Sequence, residues 1–236
     1  MYMRASIHAI LDVLYPPLCL GCERRIHARD ILCPECLLEL HPYPQSTAQS
    51  LLHLASLHRV CDALRMSVGY EYEEDGVLEQ CIQAMKYRQL YTVGDWLGRL
   101  LGERLHDTPI LDGNPVLAPV PLHRVKRIER GYNQAAYLAR GVARECGLEL
   151  QEDLLRRVRY TDSLSASRMK QEERKESIRA AFTVHAPAAR MIIGRPVLLV
   201  DDLITTGATM GECVRALTDA GFSDVRLLAL ARPPRH

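Results

Sequence analysis

The sequence is short of aromatic residues and of net charge, and each shortage narrows what the chain does. Aromatics make up 6% of 236 residues, with two Phe and one Trp against ten Tyr. No stretch therefore announces a pocket walled by stacked rings for a nucleobase. The formal charge is +1, so the global field selects no partner. No apolar run approaches the roughly 18 residues that a bilayer crossing needs. There is no internal repeat and no low-complexity tract. Gly-x-x-x-x-Gly-Lys-Ser/Thr is also missing, which excludes a nucleotide P-loop. The opening 14 residues carry Arg4, His8 and Asp12 among apolar residues. Ile7, Ile10, Leu11 and Leu14 fall at helical spacing, which predicts an amphipathic docking helix rather than a signal peptide or membrane insertion, and a cytoplasmic protein.

What is present is an ordinary globular composition, 47% apolar and 25% charged. The charge is unevenly spread. Residues 62–114 hold five basic and ten acidic side chains, whereas residues 115–182 hold fourteen basic and nine acidic. A mid-chain positive excess favours a phosphate-bearing ligand over scattered solvated arginines.

Four of the eight cysteines form Cys19-Leu-Gly-Cys22 and Cys33-Pro-Glu-Cys36. Two Cys-x-x-Cys turns about ten residues apart suit one tetrahedral thiolate site. Four thiolates leave no open position, so the expected zinc is structural. His27 and His41 are spare ligands that the motif does not require. Cys61, Cys81, Cys146 and Cys213 lie in apolar or helical contexts and read as free thiols. Domain limits are expected at 1–45 for an N-terminal helix with the zinc module and 46–236 for the main domain, with 41–62 as a linker.

From residue 62 the pattern alternates strand and helix. Strands are predicted over 64–72, 115–121, 196–200 and 225–230, and helices over 76–86, 94–105, 132–145 and 210–220. Gly147 and Gly221 follow two of the helices as stop signals. This order predicts an α/β fold with a doubly wound parallel sheet.

The apolar run Pro196–Val200 leads into Asp201-Asp202-Leu203-Ile204-Thr205-Thr206-Gly207-Ala208-Thr209 and then a helix. Ligands of open α/β sheets sit beyond the carboxyl ends of the strands. Asp201 and Asp202 are placed there to accept the 2′- and 3′-hydroxyls of a ribose. Thr205, Thr206 and Thr209 offer hydroxyls, and the stretch through Gly207 and Ala208 offers backbone N–H groups at a helix start, which suits a phosphate.

Type I phosphoribosyltransferases carry a similar Asp-Asp-x-x-x-Thr-Gly-x-Thr pattern. With the four-cysteine front end, Met85-Lys-Tyr-Arg88, Pro119-Val-Pro-Leu-His-Arg124 and Arg130-Gly-Tyr-Asn-Gln-Ala135, the chain resembles the ComF family of competence proteins and their GntX-like members over nearly its whole length. That resemblance implies phosphoribosyl pyrophosphate (PRPP) or a related phosphoribosyl ligand, held with Mg²⁺. It implies that Arg124, Lys126, Arg127 and Arg130 lie on a pyrophosphate loop, with Lys86 near them. It also implies a mobile loop over 156–179 in which Arg168 and Arg174 reach phosphate. Thr161-Asp-Ser-Leu-Ser-Ala-Ser and Arg174-Lys-Glu-Ser177 depart from the family's Gln and Asn in that loop. The expected role is handling incoming single-stranded DNA beside a competence helicase in natural transformation. The alternative is an active phosphoribosyltransferase acting on a nucleobase or other nitrogen acceptor. Tyr87, Tyr91, Tyr132, Tyr137 and Tyr160 are the aromatics available to interleave with the cations.

Overall fold

The computed structural model describes residues 16–27, 30–44, 65–88, 90–106, 108–158 and 181–233. The N-terminal helix expected before Leu14, Tyr160, Arg168, Arg174 and most of the expected mobile loop lie outside the described residues.

Four parallel strands form the main sheet: β1 (Met66–Glu71), β2 (Val116–Pro119), β5 (Val197–Leu203) and β6 (Val225–Arg232) in the order β1-β6-β5-β2. All eight residues of β6 are buried, as a strand covered on both faces requires. Alternation sorts the strands' side chains into two cores. Leu117, Leu198, Val200, Leu228 and Leu230 face α2 (Val77–Tyr87), α3 (Tyr91–Glu103) and α5 (Gln134–Cys146). Val116, Ala118, Val197, Leu199, Leu227 and Ala229 face α6 (Ala186–Ile192) and α7 (Ala208–Asp219). Helices on both faces make the sheet doubly wound, as the strand–helix rhythm predicts. The remaining helices are α1 (Pro34–Leu38) and α4 (Arg124–Arg130).

Helices α3 and α5 pack almost backbone to backbone. A Cβ on Gly98 would run into the Leu138 carbonyl, and one on Gly141 into the Asp95 carbonyl. Helix α5 ends where Gly147 takes φ +66, the left-handed conformation that the sequence assigned to a stop.

A two-stranded antiparallel ribbon, β3 (Leu155–Arg157) with β4 (Phe182–Val184), stands beside the second core. The zinc module is not set apart from the main domain. Cys19, Leu32 and Cys36 share one hydrophobic cluster with Val77, Leu78, Cys81 and Ile82 of α2. The stretch read as a linker begins by pairing with the sheet: Glu71 donates its N–H to His41 O (2.9 Å), and Tyr43 donates to Gly69 O (3.0 Å).

Candidate functional site: a carboxylate-floored cleft beside a cationic helix

The four-cysteine site is built by two tight turns and the start of α1. The sulfurs of Cys19, Cys22, Cys33 and Cys36 all lie within 4.8 Å of one another. A tetrahedral zinc with bonds of about 2.3 Å places its sulfurs about 3.8 Å apart, so the set fits the ion. Burial pushes the Cys19 thiol up, but N–H groups of Cys33, Cys22 and Gly21 aimed at its sulfur bring it down to about 6. Such a group is a ready metal ligand at neutral pH. His41 is occupied elsewhere, its Nδ1 3.0 Å from Glu73 Oε1, and His27 is exposed and outside the cluster. Cys81 and Cys213 are buried free thiols and Cys146 a half-buried one, while Cys61 lies outside the described residues.

At the other end of the chain, β5 runs on through both carboxylates as far as Leu203. Successive residues of a strand face opposite ways. Asp202 meets Lys86 of α2, Nζ to Oδ2 3.0 Å, with both side chains mostly buried. Asp201 sinks into the sheet end, where burial and then the Asp202 carboxylate hold it well above the usual carboxylate range. Gly207 adopts φ +74 as it leads into α7, a conformation that favours glycine. Thr206 Oγ1 accepts the Ala208 N–H at 3.4 Å, while Thr205 and Thr206 are exposed and Thr209 lines the cleft.

The cleft above these carboxylates has a volume of about 150 Å³. Its other lining side chains come from the end of α4, the start of α5 and the ribbon: Arg130, Asn133, Gln134 and Arg157. Asn133 Nδ2 donates to Val120 O at 3.1 Å, which ties the start of α5 to the end of β2. Arg157 lies over the Phe182 ring at 5.4 Å. Gln134 is 2% exposed; its Oε1 accepts from Arg130 at 3.3 Å, but its Nε2 has no hydrogen-bond partner. A buried amide donor left unpaired costs about 1–3 kcal/mol, which a ligand oxygen would offset.

The stretch expected to form a pyrophosphate loop is instead largely helical. His123 caps α4 by accepting the Val125 N–H at 3.2 Å, and Gly131 closes it at φ +80. No residue of α4 is buried. Arg124 and Arg127 therefore stand in solvent, Lys126 is half-exposed, and Arg130 turns into the cleft. Lys86, expected among these cations, belongs instead to the carboxylate floor.

Comparison with known proteins agrees with this geometry. A phosphoribosyl transferase domain model matches residues 132–236, and a double zinc ribbon model matches residues 10–50. Competence protein F of Haemophilus influenzae is 28% identical over 235 residues, covering 98% of this chain and 96% of its own. The chain is thus similar over nearly its whole length to a competence protein of the kind its sequence motifs resemble. DNA utilization protein YhgH of Escherichia coli is 27% identical over 221 residues, covering 91% of this chain and 90% of its own. Competence protein ComFC of Bacillus subtilis is 32% identical over 114 residues, or 47% of this chain and 41% of its own.

The sequence alone assigned no role to Arg157 and pointed to Gln134 and Asn133 only as part of a motif. Arg157 belongs to a three-residue strand with no local signal. Gln134 had one: a Gln between Asn133 and two alanines, at the start of a helix whose inner face is small and apolar. No helix among the described residues is long and apolar enough to cross a membrane.

Proposed function

We propose that this protein is a ComF-family member that holds a phosphoribosyl ligand in the cleft, with Mg²⁺, and takes the backbone of single-stranded DNA along α4, acting in the cytoplasm during DNA uptake. The observation that supports it most is α4 itself. A short helix with no buried side chain adds nothing to the core, yet it carries Arg124, Lys126 and Arg127 and ends at Arg130, which lines a cleft floored by Asp201 and Asp202. Cations arranged this way neutralise phosphates and release counterions. The names of the relatives, competence and DNA utilization proteins, fit the same role.

In the cleft, Asp201 and Asp202 accept the ribose hydroxyls, and Lys86 balances part of their charge. The N–H groups from Thr205 to Thr209 receive the 5-phosphate at the start of α7. Gln134, Arg130 and Arg157 face the pyrophosphate, whose charge Mg²⁺ shares. Titration of PRPP with and without Mg²⁺ tests this part. Each charge-assisted bond contributes about 1.5–3 kcal/mol, so Asp201→Asn with Asp202→Asn should weaken binding by at least about a hundredfold. Equal affinity in wild type and double variant would mean that ribose does not sit on these carboxylates.

The unpaired Gln134 amide also supports catalysis of phosphoribosyl transfer. In that reaction the bond from C1′ to the pyrophosphate oxygen breaks, a bond from C1′ to an acceptor nitrogen forms, and the acceptor gives up its N–H proton to solvent. Donors waiting at the pyrophosphate position would stabilise the leaving group. Pyrophosphate release that depends on an added nucleobase distinguishes this reading from binding alone.

A further inference from the structure

Three of the five tyrosines singled out in the sequence pack together, and a fourth, Tyr87, lies against Arg130 of the cleft. Tyr132 and Tyr137 meet edge to face with centroids 5.1 Å apart. Tyr91 packs on both, at 6.4 Å from Tyr132 and 5.3 Å from Tyr137. Tyr132 donates its hydroxyl hydrogen bond to Met85 O, which pins this cluster to the end of α2. Two residues further along, Tyr87 lies under the Arg130 guanidinium at 6.0 Å. Its chain neighbour Lys86 is held by Asp202, which anchors this stretch of backbone beside the carboxylate floor.

Two of these rings are turned outward: Tyr87 is 71% exposed and Tyr91 52% exposed. One exposed tyrosine needs no explanation. Two of them, held in place and bordered by cations, form a surface with a specific chemistry. Apart from Lys86, which Asp202 neutralises, the segments 86–91 and 124–130 carry Arg88, Arg124, Lys126, Arg127 and Arg130 against one carboxylate, Glu129. An acidic or apolar protein surface would match the charge or the rings, but single-stranded nucleic acid matches both, with phosphates on the cations and bases on the ring faces. Rings already packed at one edge lose little freedom when a base settles on them.

We propose that Tyr87 and Tyr91 form a base-stacking platform for single-stranded nucleic acid whose backbone lies on α4. This rests on the DNA-binding reading above and adds to it where the bases go. The platform stops at Tyr91 and Tyr137. These two also line the near end of a groove of about 780 Å³ that runs along α3 and α5 towards Asp30 and Ile31. Its charges are already matched, Arg144 to Asp95 at 2.7 Å and Arg140 to Glu152 at 2.6 Å, so it offers a polyanion no net attraction.

The test compares a fluorescent oligothymidine with a strand of equal length and charge that has no bases. Wild type should bind the oligothymidine more tightly than the abasic strand. Tyr87→Ala, and Tyr91→Leu to keep the packing against Tyr132 and Tyr137, should each weaken oligothymidine binding by roughly 5- to 150-fold. The slope of affinity against salt should not change, because stacking releases no counterions. Affinity for the abasic strand should also stay the same, which shows that each variant is folded. Tyr87→Phe should bind like wild type. If wild type binds DNA but both variants bind oligothymidine equally well, the platform is wrong and the DNA-binding reading stands. No preference of wild type for bases over the abasic strand overturns it too. If wild type binds neither strand, both proposals fall.

Discussion

Asp201 carries an electrostatic penalty that the folded protein does not relieve by itself. Burial, then the neighbouring Asp202 carboxylate, raise it, and the Asp202 N–H and Lys86 lower it only in part. A carboxyl with a raised pKa binds its proton more tightly folded than unfolded. Its contribution is therefore fully present below the ordinary carboxylate value of about 4 and is lost as pH rises towards the raised pKa. Asp201→Asn should raise Tm at neutral pH, with the gain shrinking as pH falls to about 4, while PRPP binding weakens. A Tm difference that stays constant with pH would contradict the assignment. Gln134 makes the complementary case. Gln134→Leu removes an unpaired buried donor, so the fold should keep or gain stability. Affinity for pyrophosphate should fall by roughly 10- to 150-fold, the value of one hydrogen bond of about 1.5–3 kcal/mol to a charged group. Unchanged pyrophosphate affinity by calorimetry would remove Gln134 from the site. Local motif alone exposed Asp201, Asp202 and the Thr205–Thr209 run. It did not expose the Lys86–Asp202 pair or the place of Arg157 on Phe182, because those contacts join residues far apart in sequence.

At the scale of elements, what the sequence made legible depended on how much apolar face each element buries. Helices α2, α3, α5 and α7 bury stripes of Leu, Val and Ala, and Gly147 marks one end in plain view. Helix α4 buries nothing, so it has no periodic signal; caps at His123 and Gly131 make it. Strands β3 and β4 have three residues each, too few to show alternation. The contact between α3 and α5 is the most constrained in the fold, since both glycines face backbone. Gly141→Ala should force the helices apart at a cost of at least about 1–3 kcal/mol. For a protein of this size that lowers Tm by roughly 2–12 °C. A thermal melt indistinguishable from wild type would show that the helices do not pack as described.

For the molecule as a whole, the zinc module and the sheet domain should unfold as one cooperative body, because α2 packs against both. Its first turns pack on Cys19 and Cys36, and its last turn places Lys86 on the carboxylates. Replacing Cys33 with Ser should release zinc and lower the Tm of the entire protein in a single transition, since metal binding supplies folding free energy directly. Two separate transitions would mean the modules melt independently. The central claim, that α4 is a phosphate track beside a phosphoribosyl cleft, is tested most directly by the salt dependence of single-stranded DNA binding. For single strands, log affinity falls with log salt by about 0.7 per phosphate contacted. Wild type should show a steep slope. Changing Arg124, Lys126 and Arg127 together to Ala should flatten it by about 2 units, equally for all sequences, and leave PRPP binding intact. A slope that is the same in wild type and variant, or DNA binding too weak to detect, would contradict the claim.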